Sequence, residues 1–314
     1  MNILITGIHG FVGSNLVNIL SQHHVLYGLD IISPDKEGVV MTYSWDDMDN
    51  DRLPEVDAII HLAGKAHDTK NKAKADTYFK VNTELTKKIY DYFLRKNIAK
   101  FMFFSTVKAA ADTVADEYLT EEILPEPVGP YGESKIAAEN YILSHPAAEK
   151  QSVYILRPCM IHGPGNKGNL NLLYQVVRKG IPWPLGAFEN RRTFTSMANL
   201  CFAVERFMDT EVAGRIYHIG DDESLSTNEL IETMCIAMGR KARIWHIPSR
   251  LMEGVARIGT LLHLPLNSER LRKLTENYVV SNMKIKKALS IKQFPVRAKE
   301  GLADTIRSFQ NNQV

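Results

Sequence analysis

The sequence contains few cysteines, and their number and spacing exclude several classes of protein. Among 314 residues there are three, Cys159, Cys201 and Cys235, which lie far apart. An odd, widely spaced set does not fit a disulfide framework, and it lacks the paired spacing of a zinc site. The ten histidines do not cluster either. We therefore expect no bound metal and a reducing compartment, which favours a cytoplasmic protein.

Strong charge imbalance and long apolar runs are also missing. The net charge is only +2, and no basic stripe with interleaved aromatic residues is present, so we expect no nucleic-acid partner. The first apolar run has neither a basic leader nor a cleavage site, so no secretory signal is predicted. The longest later apolar stretch, residues 251–266, is interrupted by charge and too short to span a bilayer. It predicts an amphipathic surface helix; we expect no membrane partner, and membrane contact at this helix is the alternative.

The most informative pattern that is present lies at the start of the chain. Residues 2–6 predict a buried strand, and Gly7, Gly10 and Gly13 follow at three-residue spacing before a helical pattern. A strand that turns sharply into a helix leaves free backbone N–H groups at the positive end of the helix dipole. Glycines let a diphosphate approach that backbone closely. The pattern predicts a dinucleotide site, with an ordinary glycine turn as the alternative.

An acidic residue at the end of the second predicted strand supports this interpretation. That strand covers residues 25–29 and is followed by Asp30. The interval from the glycines is near the roughly 20 residues expected for the acid that binds the adenosine ribose hydroxyls. Because an acid there repels the extra phosphate of NADP, the sequence favours NAD and makes NADP the less favoured cofactor.

Strand-like and helix-like segments alternate through the first half of the chain. Further strands are predicted at 56–62, 100–105 and 152–157, and helices at 75–96 and 130–144. This alternation predicts an α/β fold with a doubly wound parallel sheet covered by helices on both faces. After residue 165 the pattern becomes irregular, with one clear helix at 227–238. The C-terminal hundred residues therefore predict a smaller, mainly helical unit.

A second pattern of chemical interest lies on the helix predicted at 130–144. Tyr131 and Lys135 are four residues apart and so share one helix face. A nearby ammonium group favours the phenolate, so we expect Lys135 to lower the pKa of Tyr131. Tyr131 could then exchange a proton with a substrate hydroxyl while hydride moves to or from NAD, and Thr106, at a strand end after Ser105, could hold the reacting oxygen. The glycine turn, the acid at a strand end, the Ser-Thr pair and the Tyr/Lys pair each occur often for structural reasons alone. Their occurrence together in one chain favours an active site.

Taken together, these segments resemble the extended short-chain dehydrogenase/reductases, and within them the nucleotide-sugar epimerase/dehydratase family. The resemblance implies a Rossmann-type domain at residues 1–165 with a return segment at about 191–220, and a substrate domain at 166–190 and 221–314. It also implies a homodimer that pairs through the helices at 75–96 and 130–144. The matching segments are Thr6–Gly13, Asp30, His61–Gly64, Val81-Asn82, Ser105-Thr106, Tyr131–Lys135, Leu156–Pro158 and Gly163–Gly165.

The resemblance also implies roles for individual residues. The implied catalytic residues are Thr106, Tyr131 and Lys135. Substrate would be bound by Thr106, Tyr131, Asn169 and Arg192, with either Arg270 or Arg272 on the nucleotide. The implied NAD contacts are Gly7, Gly10, Phe11, Val12, Gly13, Asp30, Leu62, Ala63, Gly64, Asn82, Ser105, Tyr131, Lys135 and Pro158.

Departures from the family pattern narrow the expected reaction. Val107 and Lys108 stand where members that eliminate water carry Asp-Glu, and where others carry a catalytic cysteine or glutamate. What remains is chemistry at carbon 4, as a 4-keto reductase or a 4-epimerase. Residues 105–108 and 184–192 resemble a bacterial branch of the family, and that resemblance implies a UDP-N-acetyl sugar as substrate and a role in surface-polysaccharide synthesis. Two alternatives stay open: a reductase of non-sugar alcohols or ketones, and a non-catalytic NAD(P)-binding sensor on the same fold.

Overall fold

A computed structural model of the chain describes residues 1–66, 74–114, 116–166, 168–212, 215–262 and 267–311. The strands are β1 Asn2–Thr6, β2 Val25–Leu29, β3 Met41–Tyr43, β4 Ala58–His61, β5 Lys100–Phe104, β6 Ser152–Pro158, β7 Met160–His162, β8 Phe194–Ser196 and β9 Ile216–Ile219. The helices are α1 Phe11–Leu20, α2 Trp45–Asp49, α3 Ala75–Tyr78, α4 Leu85–Arg95, α5 Pro130–Ser144, α6 Asn169–Arg178, α7 Met197–Asp209, α8 Thr227–Ala237, α9 Ser249–Leu261, α10 Ser268–Thr275, α11 Met283–Ala288 and α12 Ala298–Asn311.

Seven of the strands form one parallel sheet in the order β3-β2-β1-β4-β5-β6-β9. The chain first adds strands on one side of β1 and then crosses to the other side with β4. Ligands of such sheets bind beyond the carboxyl ends of the strands, at the point where the order reverses. This confirms the predicted doubly wound sheet. Strands β7 and β8 pair separately.

Alternate residues of the sheet serve two different cores. Ile3 and Ile5 of β1 pack into the core on one face, with side chains of α1 and α7. Leu4 between them packs into the opposite core, with side chains of α4 and α5. This follows from the two-residue period of a strand, and it explains why β1 reads as a continuous apolar run.

The helix predicted at 75–96 is one continuous helical segment with an irregular middle. Between α3 and α4 the backbone is a π-helix, Phe79–Glu84. A π turn contains one residue more than an α turn, and such turns occur frequently at functional sites. Here the π segment contains Asn82, whose side chain is fully buried. The predicted element is confirmed, and its regularity is corrected.

The C-terminal region is mainly helical, as predicted. Its cores bring α6, α8 and α12 together, and α9 and α10 pack against residues 183–188. Ser226 caps α8 and Glu229 completes a capping box, which explains where the helix begins. The helix predicted at 251–266 is α9, and residues 263–266 lie outside the described part of the chain. The division into two domains stays a prediction.

Among the described residues, none of the helices is long and apolar enough to cross a bilayer.

Candidate active site

The glycine turn after β1 is too tight for any larger residue at two positions. Gly7 has φ +68°, and a Cβ there would lie 2.9 Å from Ala63 N. A Cβ on Gly13 would lie 2.6 Å from Gly7 O. Gly10 precedes α1 and has no side chain with which to cap it, so the first N–H groups, at Phe11 and Val12, face the turn without a side-chain acceptor from that residue. This is the geometry that accepts a phosphate.

Asp30 lies at the carboxyl end of β2 beside the same turn. Its Oδ2 accepts a hydrogen bond from His9 N at 3.1 Å, and its Oδ1 accepts one from Ile31 N at 2.7 Å. The carboxylate is therefore held in place by backbone groups of the glycine turn and of its own loop. The half-buried side chain is available to ribose hydroxyls beside the phosphate-binding turn.

The ends of β1 and β4 are joined through one hydroxyl group. Thr6 Oγ1 accepts hydrogen bonds from Leu62 N at 3.1 Å and from Ala63 N at 3.0 Å. It is also bonded to the buried His61 ring at 2.7 Å. This network places Leu62 and Ala63, two predicted cofactor contacts, directly against the glycine turn.

The side chain of Asn82 ties the segment after β4 to α5. Its Oδ1 accepts from Lys65 N at 2.7 Å, and its Nδ2 donates to Lys65 O and to Ser134 Oγ. A Cβ on Gly64 would lie 3.1 Å from Asn82 Oδ1 and 3.2 Å from Lys135 Nζ. Asn82 thus shapes the wall at Gly64, and its amide is already occupied by protein groups.

Tyr131 and Thr106 meet at the carboxyl end of β5. The phenol of Tyr131 is hydrogen-bonded to the Thr106 side chain, and its ring packs edge-on against Tyr78. Burial raises the pKa of Tyr131, and the hydrogen bond with Thr106 offsets this only in part. The expectation that Lys135 would bring the pKa of Tyr131 below its usual value is therefore wrong.

Lys135 lies one helical turn further along, and its ammonium group points at the sheet. Its Nζ donates to Phe104 O at 2.7 Å and lies 4.7 Å from the centre of the Phe103 ring. Burial lowers the pKa of Lys135 to about 8, against the opposing effect of the Glu139 carboxylate. Since the ammonium is engaged with β5, removal of water from around Tyr131 is the larger effect on the phenol.

A buried ion pair below these residues was not anticipated from the sequence. Arg157 of β6 binds Glu139 of α5, with Nε 3.0 Å from Oε1 and 3.1 Å from Oε2. The Ser105 hydroxyl donates to the same carboxylate. Ser105, predicted as a cofactor contact, is thus turned toward Glu139. Two signals were available: Glu139 stands four residues after Lys135 on one helix face, and Arg157 interrupts an apolar strand.

Arg192 lies at the junction between the sheet and the helical region. Its Nη1 donates to Lys273 O at 2.8 Å, and its Nη2 lies 3.9 Å from Glu276 Oε1. Its backbone pairs with Tyr278, whose ring lies beneath Lys108 Nζ at 4.4 Å. The guanidinium is only half-buried, so it keeps N–H groups for a ligand.

The other arginines and the remaining predicted residues have different surroundings. Arg191, the neighbour of Arg192 in the sequence, is exposed and binds Ser224 O and Glu229. Asn169 is exposed at the first position of α6, and both Arg270 and Arg272 are exposed on α10. Pro158 is buried as the last residue of β6. No metal-ligating cluster occurs among the described residues.

Comparison with known proteins places the chain in a family. The model of the NAD dependent epimerase/dehydratase family matches residues 3–220, more than half of the sequence. The chain belongs to this family. Its members are sugar-modifying enzymes that use NAD, which confirms the predicted enzyme class and cofactor.

The individual relatives and solved structures share less than 30% sequence identity with this chain. A UDP-glucose 4-epimerase of Vibrio cholerae is 29% identical over 259 residues, 79% of this chain and 78% of the relative. A GDP-6-deoxy-D-mannose reductase of Pseudomonas aeruginosa is 25% identical over 267 residues, 79% and 84% of the two chains. The crystal structure of a UDP-N-acetylglucosamine 4-epimerase from Bacillus cereus shares the fold, with TM-score 0.77, 22% identity and 99% coverage of both chains.

The residues present fit an NAD molecule. A Cβ on Gly13 would collide with Gly7 O and Ile8 O, so glycine is needed for the turn to pack this closely on α1. Gly10 places no side chain between a diphosphate and the first N–H groups of α1. Asp30 supplies an acceptor beside that turn, since its Oδ2 binds His9 N, and Lys135 Nζ lies against Gly64 just after β4. These are the groups that would hold the adenosine ribose, the diphosphate and the nicotinamide ribose.

Proposed function

We propose that this enzyme performs NAD-dependent oxidoreduction at carbon 4 of a diphosphate-linked sugar, as a 4-keto reductase or a 4-epimerase, with a UDP-N-acetyl sugar as the favoured substrate. The observation that carries the proposal is the hydrogen-bonded pair of Tyr131 and Thr106. It lies at the strand edge that also holds the glycine turn and Asp30. The proposed pathway for this enzyme is the synthesis of surface polysaccharide.

In this proposal Tyr131 moves the proton and Thr106 orients the oxygen. NAD, when bound, supplies a hydride acceptor or donor. In the reducing direction, Tyr131 gives its proton to the carbon-4 oxygen as that oxygen gains negative charge, and Thr106 donates a hydrogen bond to the same atom. A phenol with a raised pKa is fully protonated at neutral pH and so is ready to act as the acid.

The position after Thr106 supports chemistry restricted to carbon 4. Val107 is buried, and Lys108 Nζ binds Asp112 Oδ1 at 2.9 Å while lying over the Tyr278 ring. Neither side chain is a free acid or base beside the reacting carbon. Elimination of water needs such a second pair of groups, whereas hydride transfer at carbon 4 needs only Tyr131.

Arg192 is the proposed ligand of the substrate diphosphate, with Asn169 as a weaker candidate. A planar guanidinium matches phosphate oxygens in two-point contacts. Its anchor on Lys273 O fixes its direction while leaving other N–H groups open. The names of the three similar proteins all contain a nucleoside-diphosphate sugar, which agrees with a diphosphate site here.

The decisive experiment is a screen of UDP-, GDP- and dTDP-linked sugars and their 4-keto forms with the purified enzyme. Absorbance reports NADH gain or loss, and NMR reports epimer exchange. Net cofactor oxidation with a 4-keto sugar identifies a reductase, and exchange without net change identifies an epimerase. Turnover of simple alcohols or ketones with no response to any nucleotide sugar would contradict the proposal and favour the non-sugar alternative. Absence of any turnover alongside tight NAD binding would favour the sensor.

We also propose a homodimer that pairs through the helical segment Ala75–Arg95 and α5. Light scattering at micromolar concentration measures it directly, and a monomeric mass would refute it.

A further inference from the structure

The exposed side of α9 is more apolar than the packing of the helix requires. At 3.6 residues per turn, two adjacent stripes run along the helix. The first stripe, Met252, Ala256 and Gly259, is buried against α10 and residues 183–188. The second stripe faces solvent and is made of Leu251, Val255, Ile258 and Leu262.

No other stretch of twelve described residues has as many exposed large apolar side chains as α9 and the residue after it. With Leu261 beside the second stripe, five large apolar side chains within twelve residues are 46–78% exposed. Scattered exposed apolar residues are normal, but a contiguous apolar surface marks a site of interaction. Because the core uses only the neighbouring stripe, fold stability does not account for this one.

The charge around this surface has one dominant sign. Between residues 240 and 275 the sequence has eight Lys or Arg and two Asp or Glu, a net charge of +6, while the whole chain carries only +2. The remaining residues therefore sum to −4. Four of these cations, Lys241, Arg243, Arg250 and Arg257, form no ion pair with any carboxylate of the described residues. Their charge is available to an anionic surface.

Along α9 the polar side chains occupy the third side of the helix. Arg250, Glu253 and Arg257 lie away from the buried stripe and border the apolar one. A basic polar side, a broad apolar side and a length well below that of a membrane span are typical of a helix that lies in the plane of a bilayer surface.

We propose that α9 docks this enzyme on the surface of an anionic lipid bilayer. The Leu251–Leu262 stripe enters the headgroup boundary, and the basic residues of 240–275 bind anionic lipid headgroups. The helix also lies close to the substrate end of the site, since α9 packs on α10, and Lys273 of α10 accepts a hydrogen bond from Arg192. The proposal does not depend on which sugar is turned over.

The test is co-sedimentation of the full chain with vesicles of phosphatidylcholine, with or without phosphatidylglycerol. We expect binding to the anionic vesicles at least about tenfold stronger than to the neutral ones, and loss of that preference at high salt. The double substitution Ile258→Ser/Leu262→Ser is expected to weaken binding at least about tenfold, since two large apolar groups are withdrawn from the lipid. A matched control, Val40→Ser/Met41→Ser, changes two exposed apolar residues at the start of β3 and should bind as the wild type does.

Charge is tested by Arg250→Gln/Arg257→Gln against the control Arg52→Gln/Arg307→Gln. Only the first pair is expected to reduce binding to anionic vesicles, by about tenfold or more. Failure of the wild type to sediment with anionic vesicles would overturn the proposal. The proposal would also be overturned if the wild type is a dimer that does not bind vesicles and Ile258→Ser/Leu262→Ser converts it to a monomer. The exposed stripe would then be a subunit interface. Neither measurement needs NAD or a sugar, so failure here leaves the proposed reaction untouched.

Discussion

The cofactor side and the substrate side of the proposed site are built by different means. On the cofactor side, backbone meets backbone: Gly7 lies against Ala63, and Gly13 lies against Gly7, at distances that leave no room for a Cβ. On the substrate side, Arg192 is held by a single carbonyl of α10 and a distant carboxylate. The first arrangement tolerates almost no substitution. The second can be changed one residue at a time, which suits a family whose members act on different sugars.

The largest effect is expected at the boundary between the two sides. Tyr131→Phe should lower turnover about a thousandfold, because it removes the proton that the carbon-4 oxygen receives, while NAD affinity stays within a few-fold. Steady-state kinetics and calorimetry measure the two quantities. The control Tyr141→Phe alters a phenol on the same helix that binds Asp91 at the surface, and should leave turnover intact. Full activity of Tyr131→Phe would refute its proposed role.

Arg192→Ala tests whether the substrate side binds diphosphate. We expect KM for the nucleotide sugar to rise about 10- to 100-fold with a smaller change in kcat, because charge-assisted hydrogen bonds are lost. Arg192→Lys should recover only part of the loss, since lysine lacks the planar two-point geometry. Arg191→Ala is the control, because Arg191 faces Glu229. Equal effects at both positions would mean that only general charge matters.

Gly13→Ala tests how little the cofactor side tolerates. The new Cβ would collide with Gly7 O, so we expect NAD affinity to fall at least about tenfold and the free energy of unfolding to fall by about 1–3 kcal/mol. Gly254→Ala on α9 adds the same methyl where no atom lies within 4 Å, and should be neutral or slightly stabilising. Calorimetry and chemical denaturation measure both. If Gly13→Ala binds NAD as tightly as the wild type does, the glycine turn is not the site of the diphosphate.

Asp30→Ala tests cofactor choice. Loss of the carboxylate should weaken NAD binding about tenfold and shift the preference toward NADP, because the acceptor for the ribose and the repulsion of the extra phosphate both vanish. Asp35→Ala, in the same exposed loop, is the control. If the ratio of NAD affinity to NADP affinity does not change, Asp30 does not bind the adenosine ribose.

The smallest expected effect is a pH dependence set by Lys135. Its pKa of about 8 means that the ammonium form dominates below pH 8 and is lost as pH rises through that value. If the ammonium donates to the nicotinamide ribose, NAD affinity should fall severalfold between pH 7 and about pH 9. Lys135→Arg should flatten the profile, because arginine stays charged throughout. A wild-type profile that is already flat would contradict this role.

The sequence predicts the cofactor side of the proposed site better than the substrate side. The predicted bounds of α5 match those of the structure, because Gly129 and Pro130 mark its beginning clearly. The predicted strand after the glycine turn, β2, also matches. Such features depend on local backbone chemistry, which neighbouring residues specify.

What the sequence did not predict depends on contacts between distant segments. The partners of Arg192 come from residues 273–278, about 80 positions away, and no periodic pattern in the sequence predicts these contacts. The π turn at Phe79–Glu84 contains no proline or glycine that would mark an irregular helix in the sequence. The pKa of Tyr131 was predicted with the wrong sign because spacing alone puts Lys135 near it, whereas the structure shows that the ammonium group binds Phe104 O.

The pair of Glu139 and Arg157 constrains how this enzyme can change over time. Loss of either partner alone would strand a charge deep in the protein, at a cost of about 3–5 kcal/mol. Replacement of both by apolar residues of similar volume would avoid the unpaired charge, but it would leave the Ser105 hydroxyl without its carboxylate acceptor. Descendants of this chain should therefore keep both residues or exchange both, and a homologue with only one of them should carry a new countercharge nearby.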